Sequence, residues 1–336
     1  MEVSNGATKT VALEFNGLAT AYSDGSLYRT PLPTVEPYEE PLDGVACRDV
    51  LINKMTGVKV RIYLACSGRE PLAKSPLLFY FHPGGFCLGS TSYVEIHNFL
   101  QSLCKTARAM VVSVDYRRSP EHRLPAAYDD CLDAISWVAK EEDQWISNYA
   151  DLTKCFLCGD SSGGNIIHQI IIQMASPAAE LRPKLVIRGY VLIQPFFGGE
   201  TKTEYELSCV EQGEPYVMLS SCYDMFWELS LPEGADRDSP FCNPWVGSMG
   251  HLPPGAAAAM LVAVAGLDLL RERGLSYAEL ARTQMNIKDV EVMVEEGQYH
   301  GYHLLQLGSP QSNLLIDRIA LFMDAHSAKS EQDSCS

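Results

Sequence analysis

The stretch "GDSSGGN", Gly159 to Asn165, sets a serine among glycines, with the apolar "CFLC" before it and "IIHQIII" after it. Strand, tight turn and helix in that order form the context in which a GxSxG serine is held in a strained conformation with its hydroxyl exposed above a sheet. The frame Gly159-Asp160-Ser161-Ser162-Gly163 has glycine at both ends. Shifted by one residue, it puts Asp160 where a glycine is needed, so Ser161 rather than Ser162 is the candidate nucleophile. A serine-rich turn without chemistry is the plain alternative.

A serine hydroxyl is a weak nucleophile until a base takes its proton, and that base needs an acid to orient it. Eight histidines compete. His168 lies seven residues down the helix after the serine, about 10 Å along the axis, and reads as a core histidine. His300, in "EEGQYHGYHLL", follows the last apolar strand, where a loop can hang over the strand ends, and Gly301 beside it permits an unusual backbone. His303 is a weaker rival, set inside the next segment. For the acid, Asp268 in "VAVAGLDLLRERG" directly follows an apolar strand, at the edge where open α/β sheets keep their sites. The order Ser161, Asp268, His300 is the chain order of α/β-hydrolases.

Attack of a serine on an ester carbonyl creates an oxyanion, and backbone N–H groups aimed at it supply several kcal/mol, on the order of a lost oxyanion-hole donor. One donor is expected from Ser162, immediately after the nucleophile. The others are expected from Gly84 and Gly85 in "FYFHPGGFCLGS", where only glycine lets backbone approach a substrate so closely. Pro83 has no N–H to offer, so it either spoils this turn or fills a position that never donates. His82 is expected to fix the turn by hydrogen bonding, and Arg117 to pair with Glu121 as a brace. Phe86, Tyr299, Phe226 and Trp227 are the aromatic candidates for lining an acyl or alcohol pocket, Phe86 foremost, against the plain reading that they are core.

Positioning these residues calls for a sheet. Strand-length apolar runs begin at Val58, Leu77, Met110, Cys155, Val186, Met260 and Val290. Helical spacing recurs between them, at Ile96, Phe99, Leu100 and Leu103, at Tyr128, Cys131, Leu132, Ile135 and Val138, and at Leu315, Ile319, Phe322 and Met323. Such alternation predicts an α/β fold with a mostly parallel central sheet flanked by helices. Two regions break it. The segment at about 1–43 carries a hairpin around Asp24-Gly25 and then prolines at 31, 33, 37 and 41; the segment at about 197–254 offers a helix in "SSCYDMFWELSLPEG" within loop-like sequence. Long insertions of this kind either cover a site or merely elaborate a loop.

The chain has 336 residues, 46% hydrophobic, with 42 acidic against 26 basic residues and a net charge of −16. That balance argues against nucleic acid and anionic membrane surfaces as partners. "MEVSNGATKTVALEF" lacks a signal-peptide apolar core, and no run reaches the roughly 18 apolar residues of a membrane span, so a cytoplasmic location is expected. Eleven cysteines without repeated spacing read as reduced thiols. Cys155 and Cys158, three apart in a strand, point to opposite faces, which argues against a metal clamp or disulfide there. Neither a metal nor an organic cofactor is expected.

"FHPGGF", "GDSSGGN", "VDYRRSPEHRLPAAYDD", "GLDLLRERGLSYAE" and "YHGYH", in that order, make the chain resemble the plant carboxylesterases of the hormone-sensitive lipase group, over nearly its whole length. The resemblance implies one α/β-hydrolase domain spanning 1–336 with a cap built from the two irregular segments. It implies donors at the second and third glycines of an HGGG turn, here Gly84 and Gly85, with Pro83 on a first glycine that shapes without donating. The implied activity is a serine carboxylesterase on small uncharged or aromatic esters, the partner being a small-molecule ester or plant metabolite, in a monomer or homodimer. Two rivals share the scaffold. One is a non-hydrolytic dehydratase, cyclase or lactone-forming enzyme of plant specialised metabolism. The other is a hormone receptor like the gibberellin receptors, which lack the catalytic histidine that His300 supplies here.

Overall fold

The computed structural model describes residues 9–175, 185–246 and 259–327. Three short strands open the chain, β1 (Val11–Phe15), β2 (Ala19–Tyr22) and β3 (Leu27–Arg29), and pair antiparallel in a small sheet of their own. The main sheet takes β4 (Tyr38–Leu42), β5 (Val45–Leu51), β6 (Lys59–Ser67), to whose end the two-residue β7 (Glu70–Pro71) pairs, β8 (Ser75–Phe81), β9 (Met110–Asp115), β10 (Ala150–Asp160), β11 (Ile187–Ile193), β12 (Ala259–Ala265) and β13 (Val290–Glu295). Its order is β13-β12-β11-β10-β8-β9-β6-β5-β4. From β13 through β9 every pairing is parallel; from β9 through β6 and β5 to β4 every pairing is antiparallel.

The parallel part is where sequence patterning is strongest, because those strands are buried on both faces and read as apolar runs. β8 shows Leu77, Leu78, Phe79, Tyr80 and Phe81 all fully buried. The antiparallel part holds two strands that patterning did not predict. β5, "VACRDVL", alternates exposed and covered residues in its second half, and β4, "YEEPL", is an acidic, proline-bearing edge, the composition that keeps an edge from pairing further.

Helices cover both faces. α2 (Ala126–Ala139), α4 (Ser162–Ala175) and α7 (Arg271–Thr283) bury apolar residues in one layer with Phe79, Phe81 and Leu157. α1 (Val94–Ala107) and α9 (Pro310–Ser327) fill the other, with Tyr80, Phe156 and Cys158. Cys155 belongs to the first layer and Cys158 to the second, as the period of two requires. Among the described residues no helix is long and apolar enough to cross a membrane.

α3 (Gln144–Tyr149) precedes β10, and α8 (Tyr302–Leu305) follows β13. The irregular 197–254 segment, whose last residues lie outside the described ones, holds α5 (Glu204–Glu211) and α6 (Tyr216–Ser230). α5 starts at a capping box between Thr203 and Glu206, a signal too local for apolar patterning to reveal. The N-terminal segment divides in two: β4 joins the main sheet, whereas β1–β3 lies against α6, with the Phe15 ring edge-on to Phe226 at 5.3 Å.

Candidate active site

Ser161 sits between the end of β10 and the start of α4, at φ +53. L-residues rarely adopt that region, and the surroundings enforce it. Ser161 N–H donates to the Ile193 carbonyl at 2.8 Å, and its own carbonyl accepts from Gly164 and Phe196. The flanking glycines have a steric reason: a Cβ on Gly159 would run into the backbone of Gly163, and a Cβ on Gly163 into the carbonyl oxygen of Phe81 on β8. The helix can therefore come this close to the sheet only without those side chains.

Asp268 and His300 reach the same point from the ends of β12 and β13. Ser161 Oγ lies 3.1 Å from His300 Nε2, and His300 Nδ1 lies 2.7 Å from Asp268 Oδ2. The other Asp268 oxygen accepts from Leu270 N–H at 3.0 Å, and the residue is 2% exposed. A carboxylate on Nδ1 places that proton there, which leaves the Nε2 lone pair facing the hydroxyl. Burial by itself would push the His300 imidazole down, but the Asp268 carboxylate outweighs it and raises the group above its ordinary value of 6.5. Gly301, at φ +74, donates its N–H to Gln194 Oε1 at 2.6 Å and so anchors the loop next to His300.

The turn after β8 lies beside them. Gly84 and Gly85 both have positive φ, +126 and +57. A Cβ on Gly84 would strike the Leu88 carbonyl, and one on Gly85 would meet the Phe226 ring at 2.7 Å. Among the described hydrogen bonds, the N–H groups of Gly84, Gly85 and Ser162 donate to nothing, so none of the three is committed elsewhere. Pro83 faces the cavity, and its carbonyl accepts from His82 Nδ1 at 2.9 Å. Position 83 thus shapes the turn through its carbonyl. Tyr116 stacks on the His82 ring at 4.0 Å and donates its hydroxyl to the His82 carbonyl. Burial pushes His82 below the ordinary imidazole range, which keeps it neutral there.

A cavity of about 300 Å³ opens over these groups. Phe15, Leu18, Thr30 and Leu32 line it from the N-terminal segment, Tyr223 and Phe226 from α6, Ile96 from α1, and Leu304 and Leu305 from α8. Of the four aromatic candidates only Phe226 is in the lining. Phe86 is fully buried, packed on Tyr128 and Trp227, because its φ of +63 turns the ring into the core. Trp227 stacks on Phe196 at 4.5 Å and lies beneath the lining. Tyr299 is 48% exposed and outside the cavity. Apart from Phe226 and the residues of the elbow, turn and histidine loop, the cavity's side chains carry no local signal in sequence that marks them.

Three other expectations resolve at this point. Arg117 pairs with Asp130 of α2 at 2.8 Å instead of Glu121, since β9 runs out beside that helix. Glu121 pairs with Arg29 of β3 at 2.6 Å, and Arg29 also donates to the carbonyls of Cys87 and Ser119. This clasp ties the N-terminal sheet to the Gly84-Gly85 turn. His168 is buried against Tyr277 Oη at 3.0 Å and pushed down to about 3 by burial, away from Ser161. His303 turns from the cavity and bonds Asp160. Among the described residues, metal-ligand types gather at Asp289, Glu291 and His326, beside the start of β13, where Arg318 already pairs with Glu291.

The family described as alpha/beta hydrolase fold matches residues 78–304. The chain is 38% identical over 297 residues to probable carboxylesterase 6 of Arabidopsis thaliana, covering 87% of this chain and 84% of that protein. It is 31% identical over 319 residues to tuliposide A-converting enzyme b1, amyloplastic, of Tulipa gesneriana, covering 93% and 80%. Among solved structures it superposes on an esterase of Pyrobaculum calidifontis with a TM-score of 0.69 at 27% identity, covering 86% and 87%.

Proposed function

The chain belongs to the plant carboxylesterases of the α/β-hydrolase family, and on that premise we propose that Ser161, His300 and Asp268 perform its chemistry. It is a carboxylic ester hydrolase. The observation that carries the residue assignment is the unbroken relay from Ser161 Oγ through His300 to Asp268, at 3.1 and 2.7 Å. Ser161 Oγ attacks the ester carbonyl carbon while its proton passes to His300 Nε2. The carbonyl oxygen, now anionic, takes hydrogen bonds from the N–H groups of Gly84, Gly85 and Ser162. Collapse breaks the bond to the alcohol, which leaves with the proton from His300. Water then repeats the sequence on the acyl-enzyme and releases the carboxylic acid.

The lining supports small uncharged or aromatic esters. It is mostly apolar, and of its charged members Arg29 is spent on Glu121 and two carbonyls, while Glu95 and Asp160 are carboxylates. An anionic acyl group would meet no free cation among them. We assign β1–β3 and α5–α6 as the cap over a single hydrolase domain, and the cytoplasm as its compartment on the strength of ten unpaired described cysteines.

The test is Ser161→Ala, which abolishes both p-nitrophenyl ester hydrolysis and labelling by a fluorophosphonate, against Ser162→Ala, which keeps most of both. Labelling that persists in Ser161→Ala overturns the assignment. The apolar lining also favours a second reading, in which a hydroxyl of the acyl chain itself replaces water and a lactone leaves. Hydroxyacyl ester substrates separate the two by product, acid against lactone.

A further inference from the structure

Beside the Ser161–His300–Asp268 relay stands another carboxylate–imidazole pair that the relay does not use. Asp160 precedes the nucleophile in the chain, and His303 follows His300 by three residues. Their contact, His303 Nε2 to Asp160 Oδ2, is 2.9 Å. Both side chains are sealed from solvent, at 0% and 1% exposure. Full burial of such a pair carries a desolvation cost of several kcal/mol per charged group, on the order expected for buried ions.

The elements it joins are the two that must meet for chemistry. Asp160 ends β10, and its neighbour Ser161 begins the elbow. His303 lies in the single turn of α8, directly after the loop that carries His300. That turn is otherwise held from its own side, by Ser312 Oγ on the His303 carbonyl at 2.9 Å, and from β11, by Gln194 on Gly301 N–H. Only the Asp160 bond runs to the residue next to the nucleophile. Phe99 of α1 packs edge-on against the His303 ring at 5.0 Å and fixes its plane.

We propose that the His303–Asp160 pair is a positioning device for ester cleavage: it latches the His300 loop to the Ser161 strand and sets a second carboxylate near the imidazole that Asp268 orients. This rests on the reading of His300 as the base. Several groups face Asp160: Tyr80 of β8 and His82 after it, Cys158 on its own strand, Tyr302 and His303 of α8, and His300 itself. His300 is faced in turn by Asp268 and by the Tyr223 ring of α6 at 5.9 Å. Asp160 adds to Asp268 in holding His300 above the ordinary imidazole value. Asp160 Oδ1 and His303 Nδ1 have no hydrogen-bond partner among the described residues, so the described side-chain hydrogen bond of the pair is the one across the latch.

Three variants test it on a p-nitrophenyl ester. His303→Leu keeps apolar volume and breaks the bond; kcat is expected to fall on the order of 10- to 100-fold with KM within about twofold, as for a displaced catalytic group. His303→Gln, which can present an N–H near the place of Nε2, is expected to recover most of that loss. Asp160→Asn is expected to move the acid limb of the kcat/KM profile down by about half a unit to one unit, the effect of deleting a nearby negative charge. Equal losses in the Leu and Gln variants would make the site simple packing and overturn the latch, as would wild-type rates in both. An unmoved limb in Asp160→Asn overturns the electrostatic part. Should the variants not fold, the wild-type protein still decides: a slowly exchanging proton on His303 Nε2, seen by histidine-selective NMR, is required, and its absence overturns the pairing. Titrating His300 by NMR in wild type and Asp160→Asn reads the coupling without any ester, so failure of the esterase reading and failure of the latch remain distinguishable.

Discussion

The cavity has two kinds of wall. The side made by the strand ends, with Ser161, the Gly84-Gly85 turn and the His300 loop, is fixed by backbone: residues at positive φ, carbonyls that leave no room for a Cβ, and N–H groups left free. The covering side, made by β1–β3 and α6, is fixed by side chains: Phe15 on Phe226, the Arg29 clasp, and the carbonyls of Glu228 and Leu231 accepting from Arg123. Backbone placement is unforgiving to a fraction of an ångström, whereas side-chain walls repack at modest cost. Substitutions on the first side should therefore be read in kcat and those on the second in KM.

The sharpest contrast is His300→Ala, which should lower kcat on the order of 10⁴-fold or more, as loss of a triad base does, while His168→Ala leaves kcat within a few fold; steady-state kinetics on one ester decides. If both fall alike, the strand-end side has been misassigned. Next in size is Gly85→Ala, whose new methyl meets the Phe226 ring. A loss on the order of 100-fold in kcat is expected, and Gly85→Ala with Phe226→Ala together should regain part of it. A cycle without coupling would break the idea that the two walls touch there.

On the covering side, Phe15→Ala should raise KM for a hexanoyl ester by about 3- to 10-fold, the loss of roughly one or two buried methylenes of contact, with kcat within about threefold. A kcat effect larger than the KM effect would merge the two walls into one. The pH profile is subtler. His300 must be neutral to accept the serine proton, and it is raised above 6.5, so activity is lost as pH falls through a midpoint above that value. A midpoint below 6.5 contradicts the Asp268 contact as drawn. Smallest of all, Pro83→Gly should leave turnover within a few fold, because the proline acts through its carbonyl. A gain on the order of 100-fold would instead mean that a missing donor had been restored.

The same division decides what could be read in advance. Elbow, turn and histidine loop were legible because each is a short local pattern whose glycines answer to neighbouring backbone, so Ser161, Asp268 and His300 stood out in one dimension. The parallel strands were legible because double burial writes them as apolar runs. β5 and α5 were not, since one is half exposed and the other depends on a cap. The covering wall was the least legible: Leu18, Leu32, Ile96, Tyr223 and Leu305 come from five places and become neighbours only in the fold. Phe86 misled for a related reason. Its position beside the glycines suggested the cavity, but the positive φ that follows from the turn sends the ring inward. For His303, proximity to His300 in the chain is the one local hint of its bond to Asp160.

The stack of Trp227 on Phe196 gives this enzyme an optical handle. Phe196 lines the cavity on one face and shares its other surroundings with the indole, ring planes 7° apart, in a chain with only four tryptophans. An acyl group seated against Phe196 changes the polarity and packing that the indole senses through that ring. Emission from Trp227 should thus rise or fall with acylation of Ser161, so that formation and decay of the covalent intermediate can be followed by stopped-flow fluorescence without a chromogenic leaving group.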